Sequence, residues 1–230
     1  MLWPPRCLLC GEPGHGGRDL CLACEGMLPW NRSACGSCAL PLPPVEGHPA
    51  SAPACGACLR RAPPLDQVLA ACVYATPLDR LLPRLKFHRD LAAGRLLAQL
   101  MADAFAPAVH AWPGTASLLP VPLHRARLRQ RGYDQALELA RPLARALGLP
   151  LLGEGLRRVR VTLPQSRLDA AQRRRNLKDA FAVRPGLALP WHVVLVDDVM
   201  TTGATLHAAA AALRRAGVAR VDAWVCARVP

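Results

Sequence analysis

The chain has few aromatic residues. Its 230 residues include five Trp, two Tyr and three Phe, and these are not clustered in the sequence. Proteins that bind single-stranded nucleic acids without sequence preference rely on aromatic side chains on which successive bases stack. The scarcity of such side chains argues against binding of this kind as the only function of the chain.

Long apolar segments are absent too. No apolar run is long enough to span a membrane, and the first six residues lack the apolar core of a secretory signal peptide. We therefore expect a cytoplasmic protein without a membrane span. The phosphate-binding motif Gly-x-x-x-x-Gly-Lys-[Ser/Thr] does not occur in the sequence, which excludes the P-loop class of nucleotide sites.

Acidic residues are outnumbered by basic ones. The chain has 16 Asp and Glu against 29 Lys and Arg, a formal net charge of +13. Residues 121–190 alone contain 15 basic and five acidic residues. Basic charge concentrated in one segment is typical of proteins that bind a polyanion or a phosphate-rich substrate. A solvated basic surface is the alternative, and charge alone does not decide between the two.

Ten cysteines are many for a cytoplasmic chain, in which disulfide frameworks are rare. Eight of them form four Cys-x-x-Cys pairs: Cys7, Cys10, Cys21, Cys24, Cys35, Cys38, Cys55 and Cys58. A pair at this spacing presents two sulfurs to one metal ion, so the four pairs predict two closed, structural Zn²⁺ sites. We expect consecutive pairs to share a site, and crossed pairing remains open. Few large apolar residues separate the pairs, so we expect the metal to supply most of this module's stability.

After residue 62 the chain alternates between predicted strands and helices. Strands are predicted at 68–74, 118–122, 156–161, 193–196 and 220–227, and helices at 77–87, 91–105, 136–147 and 206–215. This alternation is typical of an α/β domain with a parallel sheet. Cys72 and Cys226 have no partner at metal-ligand spacing, and we expect them to pack in the interior.

Two aspartates and a threonine-rich turn follow the predicted strand at 193–196. We expect Asp197 and Asp198 to lie where this strand ends. The turn consists of Thr201, Thr202, Gly203, Ala204 and Thr205. Backbone amides at the start of the next helix favour a phosphate, whereas two carboxylates suit sugar hydroxyls or a metal ion. The segment predicts a ribose 5-phosphate site; the alternative is an ordinary strand–turn–helix crossover.

A second ligand-binding segment is predicted after the strand at 118–122. Ligands collect at the carboxyl ends of strands in an open α/β sheet, and the loop here is rich in arginine. We expect Leu123, His124 and Arg125 to contact a pyrophosphate group, while the later arginines fit a surface role. Lys86, at the end of the predicted helix 77–87, is either a ligand contact or a cation at a helix C-terminus.

Several of these features occur in the same order in the ComF competence family, which the chain resembles over nearly its whole length. They are the four cysteine pairs, Lys86-Phe87, the Arg-Gly-Tyr-Asp-Gln segment at 131–135, the stretch 165–181 and the Asp-Asp-Val-Met-Thr-Thr-Gly-Ala-Thr segment at 197–205. The last segment resembles the phosphoribosyl pyrophosphate signature of the type I phosphoribosyltransferase fold. One departure is that Tyr133 and Asp134 replace the Phe and Asn that the family favours, which puts in doubt any role that needs an amide N–H.

The resemblance implies a double zinc ribbon at 1–62 and a phosphoribosyltransferase-like domain at 63–230. It implies that Asp197 and Asp198 bind the ribose, that 201–205 hold the 5′-phosphate, that Mg²⁺ accompanies the pyrophosphate, and that 165–181 covers the substrate. Three functions stay open: phosphoribosyl transfer to an unknown acceptor, sensing of phosphoribosyl pyrophosphate or a nucleotide without chemistry, and handling of single-stranded DNA with DNA-uptake proteins in natural transformation.

Overall fold

A computed structural model describes residues 4–44, 53–112, 114, 116–159 and 180–230. The basic stretch at 160–179, in which we expect a short helix and most of the cover over the substrate, lies outside the described residues.

Four parallel strands form the central sheet. The strands of the described chain are β1 (Val68–Val73), β2 (Ser117–Pro120), β3 (Leu156–Arg158), β4 (Phe181–Val183), β5 (His192–Met200) and β6 (Arg220–Arg228). The sheet has the order β1-β6-β5-β2, and β3 pairs with β4 as a separate antiparallel ladder. The predicted parallel α/β sheet is confirmed. The C-terminal strand lies inside the sheet rather than at its end, because β1 and β5 both pair with it.

The helices are close to those predicted, with two differences. They are α1 (Leu22–Gly26), α2 (Gly56–Arg60), α3 (Leu78–Phe87), α4 (Leu91–His110), α5 (Arg125–Arg131), α6 (Gln135–Leu147) and α7 (Ala204–Arg215). The helix α4 continues past the predicted end at 105, and Val109 in its last turn still packs against the core. The arginine-rich segment treated as a loop forms α5, which has good helix formers and ends at Gly132 with φ +86°.

The sheet is buried on both faces. Val194 and Val196 of β5 belong to the apolar cluster that contains residues of α3, α4 and α6, whereas Val193 and Leu195 belong to the cluster that contains residues of α7. A strand covered on both sides needs a continuous apolar run, which is the pattern that predicted β5. Cys72 and Cys226 are buried as expected, and burial raises the pKa of Cys72 to about 12.

The cysteine-rich part packs against the α/β part. Cys7, Leu20, Cys24 and Leu28 belong to the same buried cluster as residues of α3 and α4. Apolar burial therefore stabilises residues 7–28, here called the first ribbon, in addition to the stability that we expect from the metal.

The edge strand β1 is covered by the cysteine-rich chain. The amide of Asn31 donates to Ala71 at 3.0 Å, and the amide of Val73 donates to Pro29 at 2.7 Å. The amide of Val68 donates to Gly36 at 2.8 Å. These hydrogen bonds satisfy an edge that would otherwise present unpaired backbone groups.

Among the described residues, no helix is both long enough and apolar enough to cross a membrane.

Candidate functional site

The eight paired cysteines form two clusters. Cys7, Cys10, Cys21 and Cys24 make up the first, and Cys35, Cys38, Cys55 and Cys58 make up the second. Within each cluster all sulfurs lie within 4.8 Å of one another, and Cys10–Cys21 and Cys38–Cys55 are each 3.7 Å apart. Zinc–sulfur bonds of about 2.3 Å in a tetrahedron require sulfurs about 3.8 Å apart. Each cluster therefore fits one four-thiolate zinc site, grouped in the consecutive pairing that we expected.

The two aspartates lie inside β5, which runs on to Met200, and not after its end. This corrects the expectation that the strand stops before them. The strand continues because β6 still pairs with it, at Asp197–Val225 and Met200–Arg228. Its other neighbour, β2, ends at Pro120 opposite Val196. The acidic pair thus stands where β2 has stopped and β5 projects beyond it, at the carboxyl edge where ligands bind in such sheets.

Asp198 is paired with the lysine of α3. The residue is 5% exposed, and its Oδ2 lies 3.0 Å from Nζ of Lys86. Its other oxygen accepts a hydrogen bond from the amide of Val199 at 2.8 Å. Lys86 is therefore more than a cation at the end of a helix, because it balances a charge that would otherwise be buried alone.

Asp197 belongs to a different environment, since successive residues of a strand point to opposite faces. It lines a small hollow of about 40 Å³ together with residues 199–206. Its Oδ1 accepts a hydrogen bond from the amide of Asp198 at 2.8 Å. Burial and the neighbouring charge of Asp198 raise the pKa of Asp197 well above its usual value.

The threonine-rich turn is shorter than predicted, because α7 begins at Ala204 and not at Leu206. Thr201, Thr202 and Gly203 form the turn itself, while Ala204 and Thr205 open the helix. Gly203 caps the helix with φ +74°, and its carbonyl accepts from the amide of His207 at 2.8 Å. The first amides of a helix have no acceptor inside it. The hollow thus has an acidic side and a side built from a helix start.

A Cβ atom at position 203 has no room. It would lie 2.5 Å from Cε of Met200 and 2.9 Å from Nε2 of His207. Neither contact is possible without a movement of the turn or of the two side chains. Any other residue at position 203 would have to displace the ends of the Met200 and His207 side chains, and the positive φ favours glycine independently.

The predicted pyrophosphate segment, Leu123 to Arg125, leads into α5 and is held by local hydrogen bonds. The amide of Leu123 donates to Oδ2 of Asp134 at 2.9 Å, so it is already used within the protein. His124 caps α5, because its Nδ1 accepts from the amide of Ala126 at 3.2 Å. Arg125 is the first residue of that helix and is exposed. An anion here would be bound mainly by side chains and not by the amides of Leu123 and Ala126.

Asp134 explains the departure from the family pattern. It is the N-cap of α6, where Oδ1 accepts from Ala136 at 3.0 Å and Leu137 at 3.3 Å, and Oδ2 accepts from Leu123. The three contacts use both carboxylate oxygens as acceptors, whereas Asn has one acceptor oxygen and could keep the N-cap bonds but not the bond from Leu123 as well. The doubt about a missing N–H donor therefore does not apply to these contacts.

The comparisons with known proteins agree with this architecture. Residues 1–59 match the family model of the double zinc ribbon domain, and residues 134–230 match that of the phosphoribosyl transferase domain. Competence protein F of Haemophilus influenzae is 35% identical over 228 residues, which cover 97% of this chain and 96% of that protein. The DNA utilization protein YhgH of Escherichia coli K12 is 36% identical over 236 residues, covering 98% of this chain and 97% of that protein. The chain belongs to the competence protein F family.

The competence protein F family also includes more distant relatives. Competence protein ComFC of Bacillus subtilis is 33% identical over 102 residues, 44% of this chain and 40% of that protein. The resemblance drawn from the cysteine pairs and the Asp-Asp and Thr-Thr-Gly segments is thereby confirmed.

In this member of the competence protein F family, Arg228 connects the second cysteine cluster to the threonine turn. Its Nε donates to the carbonyl of Cys38 at 2.9 Å, and Nη1 lies 3.4 Å from the carbonyl of Met200, the residue before the turn. Nη1 also contacts the carbonyl of Val229. No local pattern in the sequence signals this residue, because Cys38 and Met200 are brought to it only by the packing of the ribbon on the sheet.

A second, larger cavity shares Lys86 with the acidic pair. It has a volume of about 540 Å³ and is lined by Lys86, Phe87, Arg89, Arg127, Gln130, Arg131 and Tyr133. Sequence reasoning named Lys86 as a possible ligand contact but assigned the arginines after Arg125 to the surface, and it did not identify Arg89, Gln130 or Phe87 as lining residues. The family member therefore has two adjoining cavities, one with an acidic side and a helix start and one lined by basic residues.

Proposed function

We propose that the chain binds phosphoribosyl pyrophosphate at the carboxyl end of β5. One observation carries this proposal: Asp197 and the turn 201–205 line the same hollow. A helix start stabilises a phosphate, and a carboxylate accepts hydrogen bonds from sugar hydroxyls. A ribose 5-phosphate combines these two groups.

Each residue of the site then has a role. The amides and hydroxyls of 201–205 bind the 5′-phosphate, and Asp197 binds the ribose hydroxyls. Asp198, paired with Lys86 on the other face of the strand, adds negative charge near the ribose, and Lys86 adds positive charge beside the pyrophosphate. Oxygen ligands of this kind suit Mg²⁺, which supplies positive charge to the pyrophosphate that it accompanies.

Transfer of the phosphoribosyl group is the reaction that this arrangement can support. The bond between C1 of the ribose and a pyrophosphate oxygen breaks, and its electron pair leaves with the pyrophosphate. The ribose gains positive charge, which Asp197 and Asp198 stabilise, while basic side chains stabilise the leaving group. The acceptor then forms a bond to C1 and releases a proton.

Binding without transfer is the second candidate function. It is supported by the scarcity of residues in the described cavity linings that could act as a base. Among the described residues, the two cavities are lined by one carboxylate, Asp197, and by no histidine. An acceptor that must lose a proton needs a base within reach.

Calorimetry separates these candidates. We expect phosphoribosyl pyrophosphate with Mg²⁺ to bind the zinc-replete chain, and Asp197→Asn to weaken binding at least tenfold. Release of pyrophosphate in the presence of an acceptor would identify a transferase. Tight binding without release would identify a sensor, and no binding would refute the proposal.

The relatives suggest the setting of this activity. They are named for competence and DNA utilization, and we propose on that support that the chain acts in DNA uptake or use, with single-stranded DNA as a candidate partner. Replacing competence protein F in Haemophilus influenzae by this chain tests the assignment. We expect the wild type to restore transformation and Asp197→Asn not to; equal transformation by both would contradict the role of the site.

A further inference from the structure

The cavity between α3 and α5 has the size of a small-molecule site. Its volume of about 540 Å³ falls within the range of about 300–1,000 Å³ for ligand pockets. It adjoins the ribose site through Lys86, which both lines the cavity and contacts Asp198. A ligand in this cavity would therefore lie beside a bound ribose.

The positive charge of the cavity lining favours an anionic ligand. Four of the seven lining residues are cations, and none is acidic. Lys86 is paired with Asp198, whereas within the described chain Arg89, Arg127 and Arg131 have no carboxylate within salt-bridge distance. Guanidinium groups bind phosphate through paired hydrogen bonds.

The aromatic residues of the cavity favour a ligand that contains a planar group. Phe87 is 68% exposed although it ends an amphipathic helix, and the guanidinium of Arg131 lies 5.7 Å from its ring centroid. The hydroxyl of Tyr133 is buried close to the backbone amide of Arg89, but the two groups do not form a hydrogen bond of good geometry. A buried hydroxyl of this kind is unusual in proteins unless a ligand or water completes it.

We propose that this cavity binds a nucleotide, with the base on Phe87 near the Tyr133 hydroxyl and the phosphate on Arg89 and Arg127. The inference rests on the proposed function, because it names the class of ligand that lies next to the phosphoribosyl group. A free mononucleotide and the phosphorylated end of a DNA strand share this chemistry. Pyrophosphate alone accounts for the arginines but not for the exposed ring.

Titration calorimetry on the zinc-replete full chain tests the inference. The probes are deoxyadenosine 5′-monophosphate, deoxyadenosine and pyrophosphate, each titrated in an excess of ribose 5-phosphate that occupies the turn 201–205. We expect the nucleotide to bind and the nucleoside to bind at least tenfold more weakly. Loss of nucleotide binding in ribose 5-phosphate would overturn the inference, since both would then share one site.

Two variants locate the nucleotide. Phe87→Leu removes the stacking ring, and we expect it to weaken nucleotide binding about tenfold without changing pyrophosphate binding. Arg127→Gln is expected to weaken both. Arg129→Gln, on the same helix but outside the cavity, is the matched control and should change neither. Equal nucleotide affinity of Phe87→Leu and the wild type would overturn the inference.

The same samples distinguish this inference from the proposed function. If phosphoribosyl pyrophosphate binds and no nucleotide does, the cavity assignment fails and the proposed function stands. If nucleotides bind with the expected variant effects and phosphoribosyl pyrophosphate does not, the proposed function fails and the cavity assignment stands. A 5′-phosphorylated oligonucleotide that binds more tightly than the mononucleotide and its unphosphorylated counterpart identifies a strand end as the ligand; the reverse order identifies a free nucleotide.

Discussion

Nζ of Lys86 lies 3.0 Å from the carboxylate of Asp198, so the end of α3 is joined to the acidic edge of β5. The same helix is held by the first ribbon, because Nη1 of Arg84 donates to the carbonyl of Leu8 at 2.5 Å. The cysteine-rich part is thus connected to the site through α3, and through Arg228 it is connected to the turn that follows β5.

We expect Lys86→Met to destabilise the fold. Asp198, which is 5% exposed, would lose the cation that lies 3.0 Å from it, at a cost of about 1–3 kcal/mol because Lys86 itself is partly exposed. Thermal unfolding of Lys86→Met, Asp198→Asn and the double variant measures the pair. The double variant should lose less stability than the sum of the single variants. Additive losses would show that the ion pair contributes nothing.

Gly203→Ala is expected to abolish ribose 5-phosphate binding. The new Cβ would meet Met200 and His207, and the positive φ adds a strain of about 1–2 kcal/mol. Gly217→Ala is a matched control, because Gly217 has φ +93° at the other end of α7 and a Cβ atom there would meet no neighbouring atom within 4 Å. Calorimetry should show loss of binding in Gly203→Ala alone, and both variants should lose stability, Gly203→Ala the more because its Cβ also displaces Met200 and His207. Normal binding by Gly203→Ala would remove the turn from the site.

Asp197→Asn should stabilise the ligand-free protein while it weakens ligand binding. The pKa of Asp197 is raised in the folded state by burial and by Asp198. Between the unfolded and folded pKa values the native state therefore binds more protons, and the stability contributed by Asp197 falls as the pH rises. The side-chain amide of an asparagine does not titrate, so its contribution to stability does not depend on pH. Its oxygen can still accept the hydrogen bond from the backbone N–H of Asp198.

Melting curves at several pH values check this prediction. We expect Asp197→Asn to raise Tm at neutral pH by a few degrees, on the scale of about 2–4 °C for about 1 kcal/mol in a chain of this size. The gain should shrink as the pH falls toward the ordinary range of an aspartate. A gain that does not change with pH would point to packing instead of charge.

Arg228→Gln is expected to weaken ribose 5-phosphate binding about tenfold, the equivalent of one hydrogen bond to a charged group. The variant loses the link between Cys38 and Met200 but no metal ligand, so two zinc ions per chain should remain.

Burial and the charge of Arg228 lower the pKa of His207. That pKa should rise in the variant, as measured by the imidazole resonances in NMR. Arg80→Gln, at an exposed position on α3, is the control. An unchanged affinity together with an unchanged His207 pKa would show that Arg228 has no influence on the turn.

Removal of one cysteine from each cluster tests the metal sites separately. Cys24→Ser and Cys58→Ser should each reduce the bound zinc from two ions to one, because each breaks a four-thiolate site. Cys24 is buried in the core cluster with α3 and α4, so its loss should lower Tm more than the loss of Cys58. Metal analysis that still finds two zinc ions in either variant would refute the grouping.

Features that depend on neighbouring residues could be predicted without a structure. The spacing of each Cys-x-x-Cys pair fixes two sulfurs on one turn, and the apolar run before Asp197 requires a strand buried on both faces. Boundaries were less accurate where packing decides them: β5 runs through Met200 because β6 continues beside it, and the segment after Arg125 is helical although it was treated as a loop.

The sequence by itself determined the four Cys-x-x-Cys pairs and the order of strand, acidic pair, threonine turn and helix, because these depend on residues a few positions apart. Only the tertiary structure decided that Asp198 pairs with Lys86 and that the carbonyl of Cys38 accepts from Arg228. It also decided that Phe87 lines a cavity together with residues of α5. Those contacts join segments far apart in the chain. They depend on the strand order β1-β6-β5-β2 and on the packing of the ribbons against it, which no local pattern encodes.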